Sequence, residues 1–248
     1  MSGRAATRVA AAGRIDRVHD EPAYVLHSHP WRETSLVLDL FSRHHGRVAL
    51  VAKGAKRPHS PLRSVLLGLQ PLRVAWSGRG EVRTLTRAEW GGGVAPLAGH
   101  ALLCGFYFNE LLRRLLARED AHEAVFDAYH ATLRRLGDGV DAIEPPLRAF
   151  ELDLLRALGH LPALDRESPG GEPLRADATY RVDPAHGVVR AAGEGLPSGA
   201  QLLAIEAGDW SVPGAARAAK TLMRELLDYH LGDPPLRTRQ LLIDLHQL

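Results

Sequence analysis

The sequence predicts an α+β protein with a β-rich first part and a helical second part. Short runs of alternating apolar and polar residues fill the first 90 residues, whereas apolar residues at three- and four-residue spacing follow Gly91-Gly92-Gly93. Charge divides at the same place. Residues 1–90 hold 15 Lys and Arg against 7 Asp and Glu, and residues 91–248 hold 16 against 22, which gives +8 and −6 and sums to the formal +2. This asymmetry indicates a polyanionic partner for the first part.

Five strands are expected before the glycines. They span residues 23–28, 34–41, 47–53, 72–76 and 81–87. No helix in this region is long enough to cover an open sheet, so the strands should close into a small barrel without free edges. We therefore predict an oligonucleotide-binding (OB) barrel over residues 21–92, and an SH3-like barrel remains an alternative that fits the strand count. Residues 1–20 lack hydrophobic periodicity and are expected to form a disordered basic tail.

The second part is predicted to be a helical domain over residues 93–248. The expected helices span residues 97–117, 120–136, 145–158, 198–207, 215–231 and 236–248. Asp120 with Glu123 resembles a capping box for the second of these helices, and Gly137 should end it. Residues 160–196 are rich in Gly and Pro and form a small irregular insertion, in which residues 179–182 and 187–190 are expected to pair as a hairpin.

A cationic loop follows the third predicted strand, and it is the best candidate for a binding site. Two of the three lysines of the chain, Lys53 and Lys56, lie in it beside Arg57, and Gly54 allows a sharp turn. Such a loop beside a sheet suits a phosphodiester backbone, although a solvated surface hairpin is the alternative. The predicted DNA-binding residues are the cations of the β region: Arg32, Arg47, Lys53, Lys56, Arg57, Arg63, Arg79 and Arg83.

Three aromatic residues of the β region receive different roles. Trp31 and Tyr24 are expected to be able to stack on bases. Trp76 alternates with Leu72 and Val74 on one face of its strand, so we expect it in the core.

A second cationic feature lies in the helical part. Arg217, Lys220 and Arg224 share one face of the helix over residues 215–231, and Arg148 begins an earlier helix. Basic groups beside an apolar stripe can hold an acidic, hydrophobic peptide. The alternative is that these cations pair with Asp and Glu of the same acidic domain.

Other classes of site lack their usual residues. The single cysteine, Cys104, excludes an internal disulfide and suits a helix core, so we expect a cytoplasmic protein. We expect no metal and no cofactor, because the sequence has no Cys-x-x-Cys pair, Walker motif or dinucleotide fingerprint. No nucleophile-elbow context is present either, so an enzyme is not predicted. No apolar run approaches the ~20 residues of a membrane span.

Seven segments together resemble the RecO recombination-mediator family, over about residues 21–245. They are residues 26–36, 46–55, 78–82, 108–112, 147–152, 217–220 and 229–239, with the last interrupted after Gly232. The resemblance implies an OB barrel followed by a helical domain. It also implies annealing of complementary DNA strands and remodelling of DNA coated by single-strand-binding protein, so that RecA can load with RecR as partner. Single- and double-stranded DNA are the expected ligands, in a cytoplasmic, nucleoid-associated protein.

The resemblance also places this chain in the branch without zinc. Some members carry a four-cysteine zinc site in the insertion, but residues 160–196 contain no cysteine. In this branch the acidic tail of single-strand-binding protein is implied to dock near Arg148 and Leu158, to which charge geometry adds Lys220 and Arg224. The alternatives that remain are an RNA-binding module on the same barrel and a nuclease.

Overall fold

The computed structural model describes residues 16–240, and its strands and helices follow the predicted order. The first part contains β1 (Asp16–Trp31), β2 (Ser35–Ser42), β3 (Gly46–Ala52), α1 (Leu62–Val65), β4 (Pro71–Gly78) and β5 (Val82–Trp90). The second part contains α2 (Gly99–Leu115), α3 (Glu123–Asp138), α4 (Glu144–Ala157), β6 (Tyr180–Asp183), β7 (Gly187–Arg190), α5 (Gly199–Ala207) and α6 (Ala215–Leu231). The predicted α+β fold class is confirmed.

The first five strands form a closed barrel in the order β1-β2-β3-β5-β4. Neighbouring strands are antiparallel except β3 and β5, which run parallel with Ala49 opposite Val82. The barrel interior is apolar, and Leu38, Leu50 and Trp76 are each at most 1% exposed. Trp76 is therefore a core residue, as expected, and the barrel is of the predicted OB type.

The first strand is longer than the sequence predicted, because it begins at Asp16. Arg17 lies opposite Ser77 and Val18 lies opposite Trp76, so β4 pairs with residues that we expected in a disordered tail. Backbone pairing to β4 gives this polar segment its strand structure without an apolar pattern of its own. Residues 1–15 of the expected tail lie outside the described residues.

The barrel and the helical part share a core. Side chains of β1 alternate between the barrel interior, where Val25 lies, and the opposite face, where Tyr24 and Leu26 join the core of the helical part. Tyr24 is fully buried, and its hydroxyl oxygen lies 2.6 Å from Nδ1 of His130 in α3. The expectation that Tyr24 can stack on bases is therefore wrong, because no ligand can reach its ring.

The helix boundaries differ from prediction between α2 and α3. The N-cap position of α3 is His122, without a side-chain cap, so the predicted Asp120 capping box is wrong. The cause is the barrel: Arg118 forms a β-bridge with Arg47, and the Glu119 N–H donates to the Arg47 carbonyl at 3.0 Å. These contacts hold the segment extended. The helix also continues through Gly137 to Asp138.

The rest of the helical part follows the predicted pattern. Ser198 caps α5 in a capping box with Gln201, and Gly232 follows the end of α6. β6 and β7 form the expected hairpin, and Cys104 is buried and free. Of the expected helix over residues 236–248, residues 237–240 are helical and the remainder lies outside the described residues. Among the helices of residues 16–240, none combines the length and apolar character that crossing a bilayer requires.

Candidate nucleic-acid interface

A concave groove of about 740 Å³ lies on the barrel where three segments of chain meet. These are the β1–β2 turn, the loop after β3, and the first residues of β5. Four of the eight predicted DNA-binding cations line the groove together with an aromatic ring. These residues are Arg32, Lys53, Arg57, Arg83 and Trp31.

The cationic loop after β3 is held in place by the barrel. Gly54 has φ +71°, a conformation that favours glycine, and the Arg57 N–H donates to its carbonyl at 3.1 Å. The Lys56 N–H donates to the Thr34 carbonyl at 2.9 Å, which ties the loop to the β1–β2 turn. Ala55 is buried in the barrel core. The sequence places a buried residue between exposed cations, so the cations project from an anchored backbone.

The β1–β2 turn supplies the exposed aromatic ring of the groove. Trp31 is 46% exposed, and Val82 on the opposite wall is 49% exposed. The next residue, Arg32, has φ +52°, which is uncommon for a residue with a side chain. Apolar surface beside cations suits a single strand, whose bases can stack while its phosphates contact the charges.

The cations of the interface differ from other barrel arginines in their partners. Arg43 pairs with Asp127 at 2.9 Å, and Arg87 pairs with Glu89 at 2.7 Å, so both are neutralised within the protein. By contrast, six predicted cations are exposed and meet no carboxylate within residues 16–240. They are Arg32, Lys53, Lys56, Arg57, Arg63 and Arg79. Unneutralised cations are the ones that can release counterions when they meet phosphates.

Two further depressions adjoin the groove. One of about 610 Å³ shares Lys53 and Arg57 with it and extends to Leu62 in α1, next to Arg63. Another of about 430 Å³ shares Arg83 and extends past the β4–β5 turn to Arg118. We call the three adjoining depressions the basic track. The structure thus brings most of the predicted cations to one side of the barrel.

Arg47 also lines the second of these depressions, but the structure assigns its charge another role. Its side chain is 10% exposed, and its Nη2 lies 2.7 Å from Oδ2 of Asp39. Its Nη1 donates to the carbonyl oxygens of Arg113, at 2.5 Å, and Leu116, at 2.8 Å. Arg47 therefore joins β3 to the end of α2, and we remove it from the proposed interface. The alternation in β3 correctly gave its two faces, but half of the outer face is covered by the helical part.

Arg83 and Arg118 line the same depression at one end of the basic track. The Arg83 side chain is 16% exposed, and its Nη2 lies 2.8 Å from Oε1 of Glu119. Arg118 is exposed and lines the same depression as Arg83. Sequence reasoning missed Arg118, because it lies in the acidic second part and reaches the barrel only through its β-bridge to Arg47.

Among the predicted peptide-binding residues of the helical part, Arg148 is buried. Arg148 is 8% exposed, and its Nη1 donates to Oε2 of Glu151 at 2.5 Å. Tyr107 donates to the other oxygen of Glu151 at 2.5 Å. Burial raises the pKa of the Glu151 carboxyl, while Arg148 opposes that rise. Arg148 is therefore chiefly the partner of a buried carboxylate.

The other three predicted residues lie around this cluster. Glu144 joins two cations, because its Oε1 accepts from Lys220 at 3.0 Å and its Oε2 lies 3.4 Å from Nε of Arg148. Arg224 is exposed on α6, with Nε 3.8 Å from Asp228. Leu158 caps the other end of α4, about 15 Å from Arg148 at the usual helical rise. Arg148 and Lys220 are therefore joined through Glu144, whereas Leu158 lies at the far end of α4.

In residues 16–240, no three His, Cys, Asp or Glu side chains converge in a way that could hold a metal ion. His27 and His29 do lie near each other, with ring centroids 6.3 Å apart.

Comparisons with known proteins identify the family of the chain. The family models described as recombination protein O, N terminal and C terminal, match residues 17–93 and 97–240. A protein of Ralstonia nicotianae is 51% identical over all of this chain and 93% of its own length, and it is named DNA repair protein RecO. A protein of Aromatoleum aromaticum with the same name is 52% identical over 94% of this chain and 98% of its own. The chain therefore belongs to the RecO family.

Proposed function

We propose that this chain is a DNA-binding recombination mediator of recombinational repair, which acts by binding and pairing strands. The observation that carries the proposal is the basic track, where unpaired cations flank the exposed Trp31. The names of the relatives, which refer to DNA repair and recombination, support the same conclusion.

The track suits a single strand better than a small ligand. Its three depressions adjoin one another, so a chain of several nucleotides can follow the cations from α1 to the β4–β5 turn. Phosphate contacts of this type give affinity that depends on salt and little on sequence. Cations that screen one strand also reduce its repulsion of a complementary strand, which is how we propose that annealing begins.

The helical part is proposed to recruit the protein to coated DNA. Lys220 and Arg224 are exposed on α6 and can meet the acidic tail of single-strand-binding protein. Arg148 would support this surface indirectly, because it holds Glu144 and Glu151. Cooperation with RecR and loading of RecA belong to the proposal through the resemblance to RecO proteins alone.

The first experiment measures binding of a labelled single-stranded oligonucleotide by fluorescence anisotropy at several salt concentrations. Replacing both Lys53 and Arg57 with Gln should weaken binding and reduce the slope of log affinity against log salt by about 1.4, since each phosphate contact contributes about 0.7 on a single strand. Arg87→Gln is the matched control, because it removes a barrel cation that is already paired with Glu89. An equal loss in the control would contradict the track.

Two further assays separate the remaining parts of the proposal. Unlabelled RNA of the same sequence should compete less well than DNA, and better competition by RNA would favour an RNA-binding module. Annealing of complementary oligonucleotides should slow as salt rises, and annealing that is indifferent to salt would contradict charge screening.

A further inference from the structure

The segment between α2 and α3 is fixed over the barrel by its backbone. Gly46 has φ +63°, and a Cβ on this residue would overlap the carbonyl oxygen of Asp120. The Glu119 N–H donates to the Arg47 carbonyl at 3.0 Å, and Glu119 itself has φ +60°. An acidic residue in this uncommon conformation is held at one place above β3.

That place is beside Arg83, a largely buried cation of the basic track. Oε1 of Glu119 lies 2.8 Å from Nη2 of Arg83, and the Glu119 side chain is 52% exposed. Nε of Arg83 is buried and has no hydrogen-bond partner. The neighbouring Arg118 is exposed and meets no carboxylate within residues 16–240. A carboxylate therefore satisfies only part of the donors that converge here.

We propose that Arg83 and Arg118 form a phosphate subsite and that Glu119 occupies it as an internal competitor until nucleic acid binds. The inference rests on the proposed function, since the phosphate belongs to the backbone of a bound strand. A backbone phosphate has two non-bridging oxygens, so it can accept from Arg83 and Arg118 at once, whereas the Glu119 carboxylate pairs with Arg83. Glu119 can leave toward solvent, because half of its side chain is already exposed.

This competition predicts the direction in which the affinity for a strand, and the salt dependence of that affinity, should change. When a phosphate displaces Glu119, the strand releases a condensed cation, but the freed carboxylate attracts a cation in turn, so the net release at this subsite is reduced. Without the carboxylate, the same phosphate contact releases the strand's cation with no such uptake. Glu119 therefore lowers both the affinity for a strand and the salt dependence of that affinity.

The test is Glu119→Gln, which keeps the size and backbone of the side chain and removes its charge. A labelled single-stranded oligonucleotide should bind about two- to fivefold more tightly, as expected for release of a partly exposed ion pair. The slope of log affinity against log salt should steepen, by at most about 0.7. Glu89→Gln is the matched control: it makes the same charge change on the barrel, beside Arg87, outside the track.

Combining Glu119→Gln with Arg83→Gln shows whether Glu119 acts through Arg83. The gain from Glu119→Gln should disappear in that background, and Arg118→Gln alone should weaken binding. Circular dichroism of each variant verifies folding. An equal gain in Glu89→Gln, or a gain that persists without Arg83, would overturn the subsite. Wild-type protein that binds no oligonucleotide would instead overturn the proposed function itself.

Discussion

Replacing Arg47 with Gln should destabilise the protein by about 3 kcal/mol and leave its DNA contacts in place. The guanidinium pairs with Asp39 at 2.7 Å and donates to the carbonyl oxygens of Arg113 and Leu116. Gln can replace at most one of these bonds. Breaking a buried ion pair usually costs about 3–5 kcal/mol. Asp39 keeps a second contact to Nε of Arg113 at 3.4 Å, so we expect the lower end of that range.

Urea unfolding followed by circular dichroism measures this cost, and an unchanged m value would show that the same surface is exposed on unfolding. Arg87→Gln is the control, because Arg87 and Glu89 are both exposed and their pair should contribute less than about 1 kcal/mol. If Arg47→Gln kept the wild-type midpoint but lost about 0.7 of the salt slope for DNA, Arg47 would contact phosphate and our assignment would be wrong.

Three further predictions concern single side chains. Trp31→Ala should weaken single-strand binding by about 1–3 kcal/mol, measured by anisotropy, with an unchanged salt slope, because it removes stacking and no charge. Lys220→Glu should weaken binding of an acidic tail peptide, measured by calorimetry, and spare binding of bare DNA; equal losses would contradict separate sites. Burial and the stacked ring of His230, 4.0 Å away, lower the pKa of His160 from 6.5. The unfolded chain therefore takes up this proton first, so stability should fall as the pH drops below about 6.5. His160→Phe should reduce that fall in a comparison of melting temperatures at two pH values, and an unchanged fall would refute the assignment.

The barrel could be predicted from sequence because its strands carry their own signals. The two faces of β3 follow from alternation, and Val48, Leu50 and Ala52 do lie in the barrel core. The turn after β3 follows from Gly54, whose φ is +71°. These features depend on neighbours in the chain, which a sequence displays directly.

The errors share a physical cause, which is contact between distant segments. Tyr24 and Arg47 lie on the outer face of the barrel, where alternation predicts solvent, but the helical part covers that face. The Asp120 cap failed because β3 holds the segment before α3 extended. Arg118 reaches the basic track by the same contact. No local pattern records which part of a barrel will be covered by another domain.

The ion pairs could not be predicted either. For Arg148 and Lys220 the sequence left two roles open, binding a peptide or pairing with carboxylates of the same domain, and both do contact Glu144. Charge counts give the number of cations and carboxylates on a helix, and only the fold decides which of them meet. The same limit applies to the barrel: no sequence pattern shows that Lys53 and Arg57 meet no carboxylate within residues 16–240, while Arg43 meets two.

The core that joins the two halves has a consequence for experiments with fragments. Tyr24, Leu26 and Phe41 of the barrel pack among side chains of the helices, and the Asn109 amide donates to the Leu26 carbonyl at 3.2 Å. Cleavage at Gly91-Gly92-Gly93 would give two fragments, each with an exposed apolar surface where it had packed against the other. Such pieces should aggregate or re-associate with each other, and the intact chain should melt in one step. The proposed strand-binding surface and the proposed partner-binding surface thus lie on two parts of the chain that share one core, which sets the distance between them.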